Sequence, residues 1–218
     1  MERSNMGAED GLRTYGNAVL RLRRRDLPRA AAVCARACRE TPHVRYFFPD
    51  GTRRARDATA LFAMRIRYAL LYGEVDVTSP GLEGVAVWIP SERASMTTWR
   101  EIRAGGIRLY RAVGREAVAR MTHVAEHNDR LRHQTIPGDH WFLSILGVDP
   151  SCQRQGHARR LLEPMLACLD DAGIPAYVEL TDPALVRFYE RFGFKMKAES
   201  TVPGTELTVW TMVRAPAA

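Results

Sequence analysis

The most constraining feature of the chain is an eight-residue apolar run, Trp141–Val148, that shortly precedes the start of a helix. Turn-forming pairs flank the run, Pro137-Gly138 before it and Asp149-Pro150 after it. Its length and flanks predict a buried strand. A second short apolar run, Ala176–Leu180, follows the helix and predicts a parallel neighbour for the first strand. The chain must therefore build part of its core as strand, helix and strand.

The segment between the first of these strands and the helix has the composition of an anion-binding turn. A helix start exposes unpaired N–H groups and the positive end of the helix dipole, which together favour phosphate. Gly156 leaves room for close approach of the backbone, and Ala158 is small. Arg154 and Arg159 add charged donors. Taken alone, the segment also suits a plain strand-to-helix turn. It has neither the Gly-Lys-Ser/Thr of a Walker loop nor the three glycines of a dinucleotide site.

A glycine inside the apolar run, Gly147, points in the same direction. Glycine within a strand indicates a bulge or a close approach of another backbone. A bulge at this position would separate the strand from its parallel neighbour and leave backbone amides free. An extended chain that carries amides, such as pantetheine, could pair with them as an added strand. With a phosphate site at one end, the pattern predicts a slot for coenzyme A.

The rest of the chain predicts a mixed α/β sheet. Further strands are predicted at Val19–Leu22, Glu74–Thr78, Val85–Ile89, Lys195–Ala198 and Glu206–Met212, with a turn at Ser79-Pro80-Gly81. Single helices are predicted from an Asp26 cap to before Pro42, through Leu61–Leu70, over Gly156–Leu169 and over Pro183–Arg191. Two or three further helices are predicted within Ser91–Arg132, with breaks at Gly105-Gly106 and Gly114. The absence of repeats and linkers favours a single domain over residues 1–218, with residues 1–16 as a flexible extension.

Composition narrows the class of protein. No apolar stretch is long enough to span a membrane, and the N-terminus lacks the pattern of a secretory signal, so we expect a cytoplasmic protein without a membrane partner. The four cysteines form no metal-binding spacing, and we expect reduced thiols and no metal. The net charge of +7 rests on arginines without interleaved aromatic residues. We therefore expect no nucleic acid, and a positive field that suits a polyanionic small molecule.

Three motifs give the chain a family resemblance. Gly147-Val148-Asp149-Pro150, the Gln-x-x-Gly-x-Ala of residues 153–158, and Phe188-Tyr189-Glu190-Arg191-Phe192-Gly193-Phe194 together resemble the GNAT superfamily of acetyltransferases. The segments Ala86-Val87-Trp88, Trp141-Phe142-Leu143 and Val178-Glu179 are most similar to the puromycin N-acetyltransferase branch. The resemblance implies a mixed sheet of six to seven strands that splays between the fourth and fifth strands to accommodate coenzyme A. It also implies acetyl-CoA as cosubstrate and direct attack by an amine in a ternary complex.

The resemblance assigns roles residue by residue. Tyr189 matches the general acid that protonates the departing thiolate, and the backbones of Ile145, Leu146 and Val148 match the pantetheine contacts. The pyrophosphate cradle corresponds to Gln153, Arg154, Gln155, Gly156, His157, Ala158 and Arg159. Many members of the family carry an asparagine four residues before the tyrosine, where this chain has Leu185. One hydrogen bond to the coenzyme is therefore in doubt.

The general base and the acceptor are less constrained. Glu179, in an otherwise apolar strand, is the first candidate for the base, with a buried structural hydrogen bond as the alternative. His140 is the second candidate, with a surface histidine as the alternative. We expect the acceptor to be a small-molecule amine that contacts Tyr46, Phe47, Phe48, Trp88, Trp141 and the helices of residues 91–135. A protein amine, an oxygen acceptor and an inactive coenzyme-binding domain remain open, as does the choice of monomer or homodimer.

Overall fold

The computed structural model describes residues 19–78 and 81–217, so the predicted extension at residues 1–16 and the turn at Ser79-Pro80 lie outside the described residues. The strands are β1 Val19–Arg21, β2 Glu74–Thr78, β3 Gly84–Pro90, β4 Trp141–Val148, β5 Ala176–Leu180, β6 Lys195–Thr201 and β7 Thr208–Arg214. The α-helices are α1 Leu27–Cys38, α2 Pro42–Phe47, α3 Arg54–Tyr72, α4 Ser91–Ala94, α5 Thr98–Ala104, α6 Gly106–Val113, α7 Arg115–Thr135, α8 His157–Asp171 and α9 Val186–Glu190.

The seven strands form one sheet in the order β1-β2-β3-β4-β5-β7-β6. β4 and β5 are parallel because helix α8 carries the chain back across the sheet between them, whereas the other neighbouring strands are antiparallel. The predicted mixed sheet is confirmed.

Helices cover both faces of the sheet, and strand alternation assigns each side chain to a face. In β3, Val85, Val87 and Ile89 point to a core shared with α1, α3, α6 and α7. The intervening Ala86 and Trp88 point to a second core, which α8 and α9 complete. The sheet is thus buried on both sides, as its apolar strands require.

The sheet opens where the sequence predicted it, between β4 and β5. The two strands pair only at Trp141↔Ala176, Phe142↔Tyr177 and Leu143↔Val178, and then diverge. The register of β4 against β3 shifts at the same point: Trp88 pairs with Leu143 and Val87 with Ile145, which leaves Ser144 as the extra residue of a bulge.

The bulge predicted at Gly147 is therefore wrong in position. Gly147 pairs regularly with Val85. A Cβ at Gly147 would lie 3.4 Å from both the Cα of Cys34 and the Cβ of Ala37. The glycine thus lies where helix α1 packs closely on the strand, and close approach of another backbone is the second reason for a glycine inside a strand.

The segment between β3 and β4 folds as four helices, α4 to α7. Two of the breaks fall at Gly105 and Gly114, whose φ values of 102° and 84° suit glycine. One prediction elsewhere was wrong, because the side chain of Asp26, at the N-cap of α1, makes no capping hydrogen bond. Pro42–Phe47 forms a short helix where no element was predicted. Within the described ranges, no helix is long and apolar enough to cross a membrane.

Candidate active site

A cavity of about 170 Å³ occupies the opening between β4 and β5. Its walls come from the two diverging strands, from Tyr189 on α9 and from Cys38 on α1. The β4 contribution runs from Phe142 to Leu146 and the β5 contribution from Val178 to Leu180. We call it the inter-strand cavity. The predicted contacts Ile145 and Leu146 line it, whereas Val148 does not.

Tyr189 is the buried phenol of this cavity. Its ring is 5% exposed and packs edge-on against Phe188 and Phe194, which come from the same aromatic motif. Burial, with a smaller contribution from the neighbouring Cys38, raises the pKa of the Tyr189 hydroxyl above its ordinary value. The hydroxyl therefore keeps its proton at neutral pH, as a proton donor must. Leu185, at the position of the family's asparagine, also lines the cavity and presents an apolar side chain.

A second cavity, of about 610 Å³, adjoins the first on the side of helices α3, α5, α6 and α7. We call it the helical cavity. Seven residues line both cavities, and three of them carry polar groups: Arg65, Asn128 and Glu179. The other four are Leu61, Met121, Ala125 and Phe142. The two spaces therefore meet at a short boundary in which Glu179 is the one carboxylate.

Glu179 lies on the β5 face that points to α7, together with Tyr177. Its Oε1 accepts a hydrogen bond from the Tyr177 hydroxyl (3.1 Å), and its Oε2 accepts one from Asn128 Nδ2 (2.8 Å). Arg132 Nη1 is 3.8 Å from Oε1. Burial nevertheless raises the pKa of Glu179, because the effect of desolvation exceeds that of these partners. The carboxyl is consequently a stronger proton acceptor than an exposed glutamate.

Three polar residues around this boundary had no distinctive sequence signal. Arg65 lies on α3, and Asn128 lies on α7, within the residues 91–135 that were expected to contact the acceptor without any one of them being singled out. His43, on the unpredicted helix α2, lines the inter-strand cavity, and its Nδ1 is 2.7 Å from Thr181 Oγ1. Burial and the nearby Arg65 lower the pKa of His43 to about 4, so the ring is neutral. Only the three-dimensional packing of α2, α3 and α7 brings these groups together.

The turn before α8 has the geometry of an open helix start. Gly156 has φ 83°, and a Cβ on it would meet no heavy atom within 4 Å. No side chain caps the helix, so the N–H groups of its first turn are available to a ligand. The side chains of Gln153, Arg154 and Gln155 are exposed. The Nδ1 atom of His157 is buried and has no hydrogen-bond partner within residues 19–78 and 81–217.

Other side chains of this turn have partners within the protein. Gln153 Nε2 donates to the carbonyl of Val148 (3.3 Å), and Arg159 pairs with Glu163 (2.8 Å). Asp149, just after β4, pairs with Arg36 of α1 (2.5 Å). The Gln153 hydrogen bond joins the turn to the end of β4, and the Asp149 ion pair joins the end of β4 to α1.

The residues predicted to contact the substrate lie in different parts of the structure. Phe47 lines the inter-strand cavity, but Tyr46, Trp88 and Trp141 line neither cavity. Trp88 is fully buried, and it and Trp141 belong to the core on the α8 side of the sheet. Phe48 is buried in the core on the other side. Trp88, Trp141 and Phe48 therefore serve the core, and most of the walls of the helical cavity come from residues 94–132 and α3.

His140, the second candidate for the base, also lines neither cavity. It is 6% exposed, and its Nδ1 is 2.9 Å from the carbonyl of Gly138. Its ring packs edge-on against Tyr177. The alternative of a surface histidine is also wrong, because the ring is buried. In the described part of the chain, no group of three or more His, Cys, Asp or Glu side chains could hold a metal ion.

Comparison with known proteins finds a similarity to acetyltransferases over part of the chain. A family model described as acetyltransferase (GNAT) domain matches residues 116–196, a range that includes β4, the α8 turn, Glu179 and Tyr189. A solved structure of a histone acetyltransferase HPA2 and related acetyltransferase from Corynebacterium glutamicum superimposes with a TM-score of 0.64 at 20% identity. The superposition covers 92% of this chain and 96% of that one, and it shows that the two proteins share a fold well beyond residues 116–196.

Curated relatives match a shorter part of the chain. An uncharacterized N-acetyltransferase of Schizosaccharomyces pombe is 39% identical over 57 residues, which are 26% of this chain. The uncharacterized N-acetyltransferase YhbS of Escherichia coli is 41% identical over 68 residues, which are 29% of this chain. The matched segments span 23% and 39% of the length of these relatives. In each case the similarity covers less than a third of this chain.

Proposed function

We propose that the protein is an acetyl-CoA-dependent N-acetyltransferase that acetylates a primary amine of a small molecule by direct attack in a ternary complex. The observation that carries the proposal is the meeting of the inter-strand and helical cavities at Glu179, with Tyr189 in the wall of the first. Two adjoining spaces suit a donor and an acceptor that are bound at the same time. A proton acceptor at their boundary suits an amine that must lose a proton.

The residues present fit coenzyme A. The first turn of α8 offers N–H groups to the pyrophosphate, and Gly156 leaves the space in front of them open. The β5-facing edge of β4 beyond Leu143 has no strand partner in the described residues, which leaves backbone groups for the amides of pantetheine. When bound, acetyl-CoA supplies an acetyl group that is activated as a thioester.

The chain's own residues would move two protons. Glu179, directly or through water, accepts a proton from the acceptor ammonium, which leaves a neutral nitrogen able to form the N–C bond. Tyr189 donates its proton to sulfur as the C–S bond breaks. Asn128 and Tyr177 hold the Glu179 carboxylate at the boundary between the cavities. The hydrogen bonds from Asn128 and Tyr177 favour the ionised form of Glu179, which is the form that can accept a proton.

Several finer assignments belong to this proposal. We place the protein in the cytoplasm and near the puromycin N-acetyltransferase branch, on the motifs quoted above. The Corynebacterium structure is described as a histone acetyltransferase, which makes a protein lysine the competing acceptor. The enclosure of the helical cavity by α3 and α5 to α7 favours the small molecule, because a folded substrate could not enter it.

The test is an assay of thiol release from acetyl-CoA with a panel of aliphatic and aromatic amines and lysine peptides, with the product identified by mass spectrometry. We expect acetylation of at least one small amine. Turnover with lysine peptides alone would overturn the small-molecule assignment. Failure of the protein to bind coenzyme A in calorimetry would overturn the proposed function itself.

A further inference from the structure

Arg65 lies where the two cavities meet and lines both of them. Its guanidinium group is a planar fork of five N–H donors. Among residues 19–78 and 81–217, no acceptor lies at hydrogen-bond distance from this group and no carboxylate lies at ion-pair distance. Its donors are therefore available to a ligand that enters either cavity.

The unpaired charge of Arg65 is partly buried. Burial lowers the pKa of Arg65, and the charges of Glu179 and Glu101 raise it by less. Arginine nevertheless keeps its proton at neutral pH, so the guanidinium is a cation in the free protein. Because a buried charge without a partner destabilises a fold, this position indicates a bound anion as the partner.

Arg132 also lines the helical cavity, but its donors already have partners within the protein. Its Nη2 donates to Asp129 and to Ser95 Oγ (3.0 Å), and its Nη1 is 3.8 Å from Glu179 Oε1. Arg132 is 4% exposed and offers little surface to a ligand. Of these two guanidinium groups, Arg65 is thus the one that can bind an anion.

Glu179 lies at the same boundary as Arg65, and of the surrounding charges it exerts the largest attraction on that guanidinium. Under the proposed function, the ammonium of the acceptor approaches Glu179. An anionic group of the same molecule that reaches Arg65 must then lie close to that ammonium. An α-amino acid meets this requirement, because its ammonium and its carboxylate are bonded to one carbon. A carboxylate also fits the guanidinium fork with two parallel hydrogen bonds.

The rest of the helical cavity has room for the side chain of an amino acid. The cavity volume of about 610 Å³ exceeds what the amino and carboxylate groups alone would fill. Met64, Leu109 and Met121 are among the apolar side chains of its walls. Glu101 and Glu126 add carboxylates to the lining, and these would repel an acidic side chain.

We propose that the acceptor is an α-amino acid with a non-acidic side chain, and that Arg65 binds its carboxylate. This inference rests on the proposed function and names the substrate class of the same site. The α-ammonium lies at Glu179, the carboxylate lies on the guanidinium of Arg65, and the side chain extends between the helices of the cavity. Arg65 determines specificity, because an amine without a carboxylate leaves the guanidinium unpaired.

The test compares amino acids with derivatives in which only the carboxylate is replaced. Leucine, phenylalanine and arginine are each assayed against the corresponding amide, with acetyl-CoA as the donor. We expect at least one amino acid to react with a kcat/KM at least about tenfold above that of its amide, which is the effect of a charge-assisted pair. Calorimetric titration of both ligands into protein saturated with coenzyme A should show the same preference without turnover. Amides that bind and react as well as the amino acids would overturn the inference.

Variants connect the preference to Arg65. Arg65→Gln should raise the KM of the preferred amino acid about tenfold and change that of its amide by less than about twofold, so that the preference is lost. Arg65→Lys keeps the charge and should retain part of the preference. Arg56→Gln removes a guanidinium from the same helix but outside both cavities, and it should leave the preference unchanged.

The affinity for coenzyme A separates this role of Arg65 from a role in donor binding. It should stay within about twofold of the wild-type value in Arg65→Gln. A loss of this affinity with an unchanged preference for the amino acid would assign the guanidinium to the donor and overturn the inference. Acetylation of small amines without a preference for the carboxylate would also overturn it and leave the proposed function standing. Failure of the wild-type protein to bind coenzyme A would instead overturn the proposed function.

Discussion

At the residue scale, Glu179 and Tyr189 both combine burial with a position on a cavity wall. Burial raises the pKa of both groups, with different consequences. The carboxyl becomes a better proton acceptor, whereas the phenol becomes a donor that does not ionise near neutral pH. A base and an acid on opposite sides of one reaction are what amide formation from an ammonium and a thioester needs.

We expect Glu179→Gln to lower kcat/KM by about 100-fold or more, which is the usual contribution of a general base. In the wild-type protein, the base works only when ionised, and its raised pKa moves the acid limb of the pH profile above pH 4.5, the ordinary value for glutamate. Activity should fall as the pH drops through this pKa, and the variant should lose that limb. The measurement is kcat/KM against pH.

Glu126→Gln is the matched control for this prediction, because Glu126 is an exposed carboxylate that lines the same helical cavity. It should keep the acid limb. A Glu179→Gln enzyme that retained both its rate and its acid limb would remove Glu179 from the chemistry and leave it as a structural hydrogen-bond acceptor for Asn128 and Tyr177.

Tyr189→Phe tests the acid. The change removes one oxygen from a ring that is otherwise held by Phe188 and Phe194, so packing should persist. We expect kcat to fall by about 10- to 100-fold while the affinity for coenzyme A, measured by calorimetry, stays within about twofold. Tyr72→Phe, on α3 against Tyr68, is the control for loss of a hydroxyl elsewhere. Unchanged turnover in the Tyr189 variant would assign the proton to another donor.

At the element scale, β4 and the start of α8 are the parts of the site that sequence predicts best. The bounds of β4 and β5 match the predicted runs because both strands lie inside the sheet with helices on both faces, and so are almost entirely apolar. Gly147 did not indicate where the bulge in β4 lies. Ser144 bulges because of how β4 pairs with β3, and Gly147 is small because of α1, which is more than 100 residues away in sequence. Neither contact leaves a local signal.

Gly156→Val tests the helix start against Gly173→Val at the other end of α8. Both glycines have positive φ, 83° and 67°, and in both cases a Cβ would point into open space. The strain of a branched residue is therefore similar at the two sites, roughly 1–2 kcal/mol. We expect both variants to lose similar stability in thermal unfolding, and only Gly156→Val to lose coenzyme A binding. Equal affinity of the two variants for coenzyme A would argue that the phosphates bind elsewhere.

At the scale of the whole molecule, the acceptor side of the site depends on packing between distant segments. Arg65 comes from α3, Glu101 from α5, Asn128 from α7 and Glu179 from β5, and the sequence analysis identified only Glu179 among them. It was identifiable because a charge in an apolar strand is unusual. Polar residues on amphipathic helices do not stand out in this way, because a helix face that contacts solvent has the same pattern of polar residues. Trp88 was predicted to contact the substrate because it is aromatic, whereas the structure places it in the core.

The fold also contains a buried charge far from the cavities, on β2 near the edge of the sheet. Asp76 is 2% exposed and lies 3.0 Å from Arg21 Nη1, while Arg21 also pairs with Glu74. Burial raises the pKa of Asp76 from 3.8 to about 6, because desolvation exceeds the attraction of Arg21. A raised pKa in the folded state favours the protonated form. Its contribution to stability is therefore fully present below about pH 4 and is lost as the pH rises through about 6.

We therefore expect Asp76→Asn to gain stability relative to the wild type as the pH rises from 4 to 7, because the amide cannot ionise and Arg21 keeps Glu74 as a partner. The measurement is the free energy of unfolding from urea titrations of both proteins at several pH values in this range. Glu206→Gln, which removes an exposed carboxylate between β6 and β7, reports the general effect of one lost negative charge. If the variant instead became less stable relative to the wild type with rising pH, attraction by Arg21 would dominate over burial. The edge of the sheet would then be held by an ion pair that stabilises the fold.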